Sequence, residues 1–394
     1  MTGTIPYTLP FSRPRPLDPP PEYARLRESA PVAKVFAMDG AEAWLVTSYE
    51  AAASALADRR LGVAPLGYHS PDNNTLFQDG HTHARLRRLV AKAFTARSIR
   101  ELRIRIDQLA ARQVTELAAE RAPRDLVAGL GAPLSIGVIS ELLGVDIAER
   151  AHFQALTDAM SAYDPTLADG ADPELAAAPW LDFCAYMAEL IAAKRASLGS
   201  DLLSSLIEVS DDADGRLTEA ELVGMATAIV AGGYQTASNA LAVGVLRLLS
   251  GPGLEAGADE AVVEESLRML GGRTGEPFPR FAHQDLELAG VAIAEGERVL
   301  VRVEAANRDP RQFAEPDEFR AERFRGERRT PPLTFGHGQH FCLGANLARA
   351  ELAAVLQALG AQLPGLRLVG SVTDLEWREG GTDAGPVAVP VTWD

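Results

Sequence analysis

Thr334-Phe335-Gly336-His337-Gly338-Gln339-His340-Phe341-Cys342-Leu343-Gly344 runs directly into the apolar helical stretch from Ala345 to Leu363. One cysteine stands on a glycine-rich loop at the start of a helix, where the positive helix end and nearby backbone N–H groups stabilise a thiolate. Gly336, Gly338 and Gly344 let the backbone turn tightly and approach a large flat partner. Zinc and iron–sulfur sites need several soft ligands at short spacing, and the only other cysteine is Cys184. A haem iron takes a single thiolate.

An isolated cysteine beside a helix is most often a packing thiol. The full stretch reads otherwise. Its order is Phe, Gly, any, Gly, any, His, any, Cys, any, Gly, carried by Phe335, Gly336, Gly338, His340, Cys342 and Gly344. It resembles the haem-binding signature of the cytochrome P450 family. That resemblance implies a mainly α fold with small β-sheets, a prism-shaped helical domain beside a β-rich region. It also implies haem b as cofactor, with Cys342 as iron ligand and Phe335 packed near the sulfur.

Working upstream, residues 219 to 249 read as one long central helix, started by a capping box of Thr218 and Glu221. Gly232 and Gly233 sit in its middle, at about 1 kcal/mol each relative to alanine, so a close approach or a local opening must require them. Tight helix crossing is the plain explanation. In the P450 family this is the oxygen-binding groove, and Gly232, Gly233 and Thr236 match its pattern. Gln235 stands where the family has an acid, and Ala237 follows Thr236. A glutamine hydrogen-bonds but does not give up and recover a proton at ordinary pH. Proton delivery is then expected through Thr236 and water, or through a substrate hydroxyl.

Glu265 and Arg268 are three apart on a predicted helix, a spacing common to any protein. The family has Glu, any, any, Arg at this point, joined by an arginine from a later loop, here Arg323. All three are expected to fix the course of the loop around the ligand, a structural role. His83 and Arg87 share a helix face and can present an imidazole and a guanidinium to one anion. Residues 79 to 88 resemble the family's propionate-binding stretch, departing from it at Gly80, His81, Thr82 and Ala84. With Arg280 on a predicted strand, and with His340, they are expected to hold the two haem propionates.

The loop from 61 to 80 is rich in Gly, Pro and Asn and corresponds to a wall of the family's substrate pocket, with Leu66, Tyr68, Leu76 and Phe77 as lining candidates. Thr274, Glu276, Pro277 and Phe278 are the candidates beside Arg280. By the same resemblance, two helices joined by a loop over residues 164–179 roof the cavity. Cys184 lies on an apolar helical face and reads as a packing thiol.

Residues 1–21 are proline-rich and read as an extended lead-in, and residues 22–394 as a single haem domain. The start lacks a secretory signal, and no apolar run reaches the ~18 residues of a membrane span, so a cytoplasmic protein is expected. A net charge of −16 argues against nucleic acid as a partner. One basic patch interrupts it, made of Arg85, Arg87, Arg88, Lys92, Arg97 and Arg100. With no electron-transfer domain in the sequence, NAD(P)H is expected to act indirectly, through a ferredoxin reductase and a ferredoxin that docks on this patch. The expected protein is a monomeric O2-activating monooxygenase for a mostly apolar small molecule, of the kind that tailors secondary metabolites and antibiotics. P450-type coupling, cyclisation or desaturation is the alternative that Gln235 keeps open.

Overall fold

Local chemistry sets several helix boundaries in the computed structural model, which describes residues 7–67, 77–93, 96–161, 173–211, 217–270, 278–326, 329–378 and 385–394. Pro21 starts α1 (Pro21–Ser29) at a position where its missing N–H is not needed. The Ser48 side chain accepts the Ala51 N–H and opens α2 (Tyr49–Ala57). Next come α3 (Gly80–Ala93) and α4 (Ala96–Ala119), then α5 (Ala132–Leu143), which ends on Gly144 at φ +62°. The two helices expected to roof the cavity are α6 (Arg150–Ser161) and α7 (Pro173–Arg195), and α7 begins inside the stretch 164–179 expected to be loop, with Pro179 within the helix; α8 (Leu202–Asp211) follows. The expected capping box of Thr218 and Glu221 is present and opens α9 (Glu219–Gly233).

The central helix is not the continuous one expected from the sequence. Tyr234, at φ −85° and ψ −73°, separates α9 from α10 (Gln235–Leu249). The chain continues through α11 (Glu260–Leu270), the short α12 (Val303–Ala306) and α13 (Ala345–Gln362), the helix behind Cys342.

A five-stranded sheet gathers distant segments. Val32–Phe36 pairs antiparallel with Glu42–Val46, which runs parallel to Arg298–Val301, with Trp44 opposite Val299. Arg280–Ala282 and Leu61–Gly62 complete it. The register sets Arg280 opposite Val299, so the strand arginine is anchored in the sheet interior. The proline-rich lead-in is fixed to the fold: Leu9 and Leu17 are buried, and Arg13 forms an ion pair with Glu304 at 2.8 Å. The main apolar core joins α4, α5, α9, α10, α11 and α13. Among the described residues, no helix is long and apolar enough to cross a membrane.

One buried acid stands out on α13. Glu351 is 3% exposed, its Oε2 has no hydrogen-bond partner, and burial raises its pKa from the ordinary 4.5 to about 8. The folded protein therefore keeps this proton where the unfolded chain has released it. The stability is full below about pH 4.5 and is lost as pH rises toward 8. Relative to Glu351→Gln, the wild type should lose up to ~5 kcal/mol across that window. Denaturant midpoints of both proteins against pH check this, and parallel curves would refute it.

Candidate active site

The cysteine loop is built by backbone constraints. The Cys342 N–H donates to the Phe335 carbonyl at 2.8 Å, closing the loop on itself. Gly336 and Gly338 have φ of +75° and +72°. A Cβ on Gly338 would lie 2.7 Å from the Leu56 carbonyl oxygen, so the loop reaches α2 only because that residue is glycine. Arg87 on α3 donates to the Phe341 carbonyl and ties the loop from the other side. Arg349, on α13, stacks over the Phe335 ring at 4.7 Å and is held by Glu264.

Cys342 is exposed, yet protein surrounds it closely enough for burial to push its thiol pKa up. A sulfur facing an internal hollow has both properties. The Gly344 N–H and the Arg87 and Arg349 guanidiniums pull the other way, favouring the thiolate. Among the described residues, no three His, Cys, Asp or Glu side chains could together hold a metal ion.

Beside the loop lies a cluster of cationic and donor groups. His83 and His340 have ring centroids 4.2 Å apart, and His83 is 2% exposed with neither ring nitrogen hydrogen-bonded. Burial, and then the charges of His340 and Arg87, lower its pKa to about 4, so it is neutral at pH 7. Arg280 is buried and donates to the Phe278 carbonyl at 2.6 Å. The His340 Nε2 is 2.9 Å from Asp79 Oδ1, and Asp79 also accepts the Val63 N–H at 2.7 Å. His340 thus already has a carboxylate partner, which the sequence reading did not foresee.

The groove faces open space. A Cβ on Gly232 would meet nothing within 4 Å, whereas one on Gly233 would lie 2.7 Å from Ile139 Cδ1. Tight packing explains Gly233 alone. The Thr236 hydroxyl donates to the Gly232 carbonyl, and the Gln235 and Thr236 side chains are partly exposed there. The groove and cysteine helices are in contact: a Cβ on Gly244 would lie 3.0 Å from Leu352 Cδ1.

The expected Glu265, Arg268 and Arg323 network forms. Arg268 is fully buried and grips Glu265 with two bonds, of 2.7 and 2.9 Å, while Arg323 Nε reaches the same carboxylate at 3.1 Å. Arg268 also donates to the Asn307 carbonyl at 2.7 Å. The Asn307 side chain accepts the Leu333 N–H at 2.7 Å and donates to Thr334 Oγ1 at 3.0 Å. The network thereby reaches the first residues of the cysteine loop.

The family model "Cytochrome P450" matches residues 259–359, a span from the start of α11 almost to the end of α13. Two curated relatives match over the whole length of both chains. They are nocardicin C N-oxygenase of Nocardia uniformis subsp. tsuyamanensis, 36% identical, and mycinamicin IV hydroxylase/epoxidase of Micromonospora griseorubida, 37% identical. Among solved structures, CYP105P1 in complex with 4-phenylimidazole superposes at a TM-score of 0.86 with 34% identity, covering 98% of this chain and all of that one. The chain belongs to the cytochrome P450 family.

Like its relatives, this P450 is an oxidoreductase of the monooxygenase kind. The residues near Cys342 fit a haem. His83 offers two unpaired buried nitrogens, and Arg87 and Arg280 add two cations, which suits a group with two carboxylates.

Of the pocket candidates, Phe77 and Phe278 meet edge to face at 4.7 Å, with 49% and 42% of their surface exposed, and Leu66 is also exposed. Tyr68, Leu76, Thr274, Glu276 and Pro277 lie outside the described residues, as do the side chains of Lys92, Arg97 and Arg100 in the basic patch. Arg85 of that patch turns inward to Glu221. Cys184 is partly buried, with its sulfur 3.8 Å from Thr227 Oγ1.

Sequence reasoning missed Asp79, Asn307 and Arg349. Their partners lie far along the chain, His340 being 261 residues from Asp79, Glu264 85 from Arg349, and Leu333, Thr334 and Arg268 26 to 39 from Asn307, so spacing gave no sign of the contacts.

Proposed function

We propose that this P450 inserts one oxygen atom from O2 into a mostly apolar small molecule, by hydroxylation or epoxidation, in the making of a secondary metabolite. The retained groove carries this reading: the Thr236 alcohol bonds the Gly232 carbonyl beside a position where a side chain would meet only open space. Haem b, ligated by Cys342 and met at its propionates by His83, Arg87, Arg280 and His340, supplies the oxygen chemistry when bound. The chain's own residues do the rest. Thr236 holds a hydroxyl proton at the groove, and the Gln235 amide orients water without exchanging its protons. Phe77, Phe278 and Leu66 offer an apolar surface to substrate.

The names of the relatives, a hydroxylase/epoxidase of mycinamicin IV and an N-oxygenase of nocardicin C, support a natural product as substrate. Electrons come from NAD(P)H through a ferredoxin reductase and a ferredoxin, for which the exposed Arg88 is one contact on the basic face. We place the enzyme in the cytoplasm as a monomer.

A second reading, oxidative coupling, cyclisation or desaturation, is favoured by Gln235, because a groove without its acid delivers protons less directly. One experiment separates the two. The holoenzyme, supplied with NADPH, a ferredoxin reductase and a ferredoxin, is incubated under 18O2 with a panel of macrolactones, terpenes and cyclic peptides. A product carrying one 18O supports insertion. A product short of two hydrogens and free of label supports the second reading.

A further inference from the structure

We infer that Tyr234 is a positioning residue: its hydroxyl, held by Asp158 on the roof helix α6, fixes where the central helix opens and couples α6 to the groove at Gly232, Gln235 and Thr236. Tyr234 is the one residue between α9 and α10. Its N–H still donates to the Val230 carbonyl at 3.0 Å, and its carbonyl accepts the Ser238 N–H at 2.9 Å. The chain is thus helical on either side, and the bend is confined to Tyr234.

Among the described residues, contacts from three directions meet at that bend. On one side Gly233 lies against Ile139 of α5, close enough that a Cβ would approach Ile139 Cδ1 to 2.7 Å. At the groove, the Thr236 hydroxyl bonds the Gly232 carbonyl. On the third side the Tyr234 hydroxyl donates to Asp158 Oδ1 at 2.5 Å, the length of a phenol bonded to a carboxylate. Tyr234 is 3% exposed whereas Asp158 is exposed on its helix, so the bond joins a buried hinge to a surface element. The α6 helix packs on α7 and α9, so a displacement of the roof moves Asp158 relative to Tyr234.

The consequence falls on the next two residues. Gln235 and Thr236 follow Tyr234 directly, and with no acid at 235 the groove depends on how the glutamine amide and the threonine hydroxyl are oriented. A hinge tied to α6 lets a molecule under the roof set that orientation. Removing the phenol oxygen leaves the ring to pack but releases the hinge.

The test is amide hydrogen exchange by mass spectrometry on the holoenzyme, with and without 4-phenylimidazole, a nitrogen ligand bulky enough to meet the roof. The variants are Tyr234→Phe, Asp158→Ala, the two combined, and Asp158→Asn, which keeps an acceptor oxygen. In Tyr234→Phe and Asp158→Ala, peptides over residues 230–240 should exchange about ten-fold faster than in the wild type. The double variant should be no faster than either single one, and Asp158→Asn should stay near wild type. In the wild type 4-phenylimidazole should protect α6 and residues 230–240 together, and in the two disrupting variants α6 alone. Unchanged exchange in Tyr234→Phe, additive effects in the double variant, or faster exchange throughout the protein would overturn the proposal. The link to the groove rests on the oxygenase reading, but the exchange measurement needs no turnover. A protein that shows the coupling and oxidises nothing would count against that reading alone.

Discussion

Replacing Cys342 by serine is expected to abolish the strongly red-shifted Soret band of the reduced, carbon-monoxide-treated protein. Turnover should fall by more than the ~100-fold that loss of a group behind a metal ligand costs. A serine hydroxyl stays protonated where a thiolate is favoured, and it offers iron a hard, weakly donating oxygen in place of a soft anion. The loop should survive the change. Its closure is a backbone bond from residue 342 to the Phe335 carbonyl, and its turns rest on Gly336 and Gly338, so the serine variant keeps both. Loss of the band with little change in melting temperature would therefore report on the ligand itself. Cys184→Ser is the matched control, since that sulfur lies on α7 with Thr227 as its neighbour and should leave the band untouched. A Cys342→Ser protein with the wild-type band would remove the thiolate from the mechanism.

The parts of this site legible in the sequence are those whose chemistry is local. The Cys342 loop, the His83 and Arg87 face, and the Glu265 and Arg268 spacing each occupy less than a dozen residues, and all three sit where the motif spacing put them. The Gly232–Gly233 pair signalled that something in the central helix needed room. It did not say that the helix stops at Tyr234, because the contacts that bend it come from Ile139, 94 residues before Gly233, and Asp158, 76 before Tyr234. His340 shows the same limit. Its place in the motif suggested a propionate partner, while its Nε2 meets Asp79, a residue noticed only as the first letter of another motif. The strand Val32–Phe36 has no clean alternation of its own and was missed, because its place is set by pairing with Glu42–Val46. The proline-rich lead-in read as no more than an extended segment for a related reason. Nothing near Arg13 in the sequence points to Glu304.

Arg268→Ala is expected to cost ~3–5 kcal/mol and to lower the fraction of protein with correctly ligated haem. Arg268 is 0% exposed, and its donors serve both Glu265 oxygens and the carbonyls of Asn307, Pro316 and Glu318. Among the described residues, removing it leaves the buried Glu265 carboxylate with Arg323 and the Arg320 N–H beside it, and takes the Arg268 donor from the buried Asn307 carbonyl. Lysine should rescue little, since three rotatable donors on one nitrogen cannot span acceptors placed for a planar fork. Arg323→Ala should cost clearly less: its side chain is 12% exposed, so water can replace part of what is lost. The damage should also reach the cysteine loop. The Asn307 carbonyl is fixed by Arg268, and its amide fixes Leu333 and Thr334, while the Thr334 hydroxyl donates back to the Leu267 carbonyl at 2.8 Å. Denaturant unfolding gives the stability loss, and the carbon-monoxide spectrum gives the share of protein whose loop still presents a thiolate. A variant that unfolds earlier yet binds haem with the full wild-type band would mean that the network stabilises the fold without setting the loop. A variant within about 1 kcal/mol of wild type would mean that these buried charges cost as much to desolvate as their bonds return.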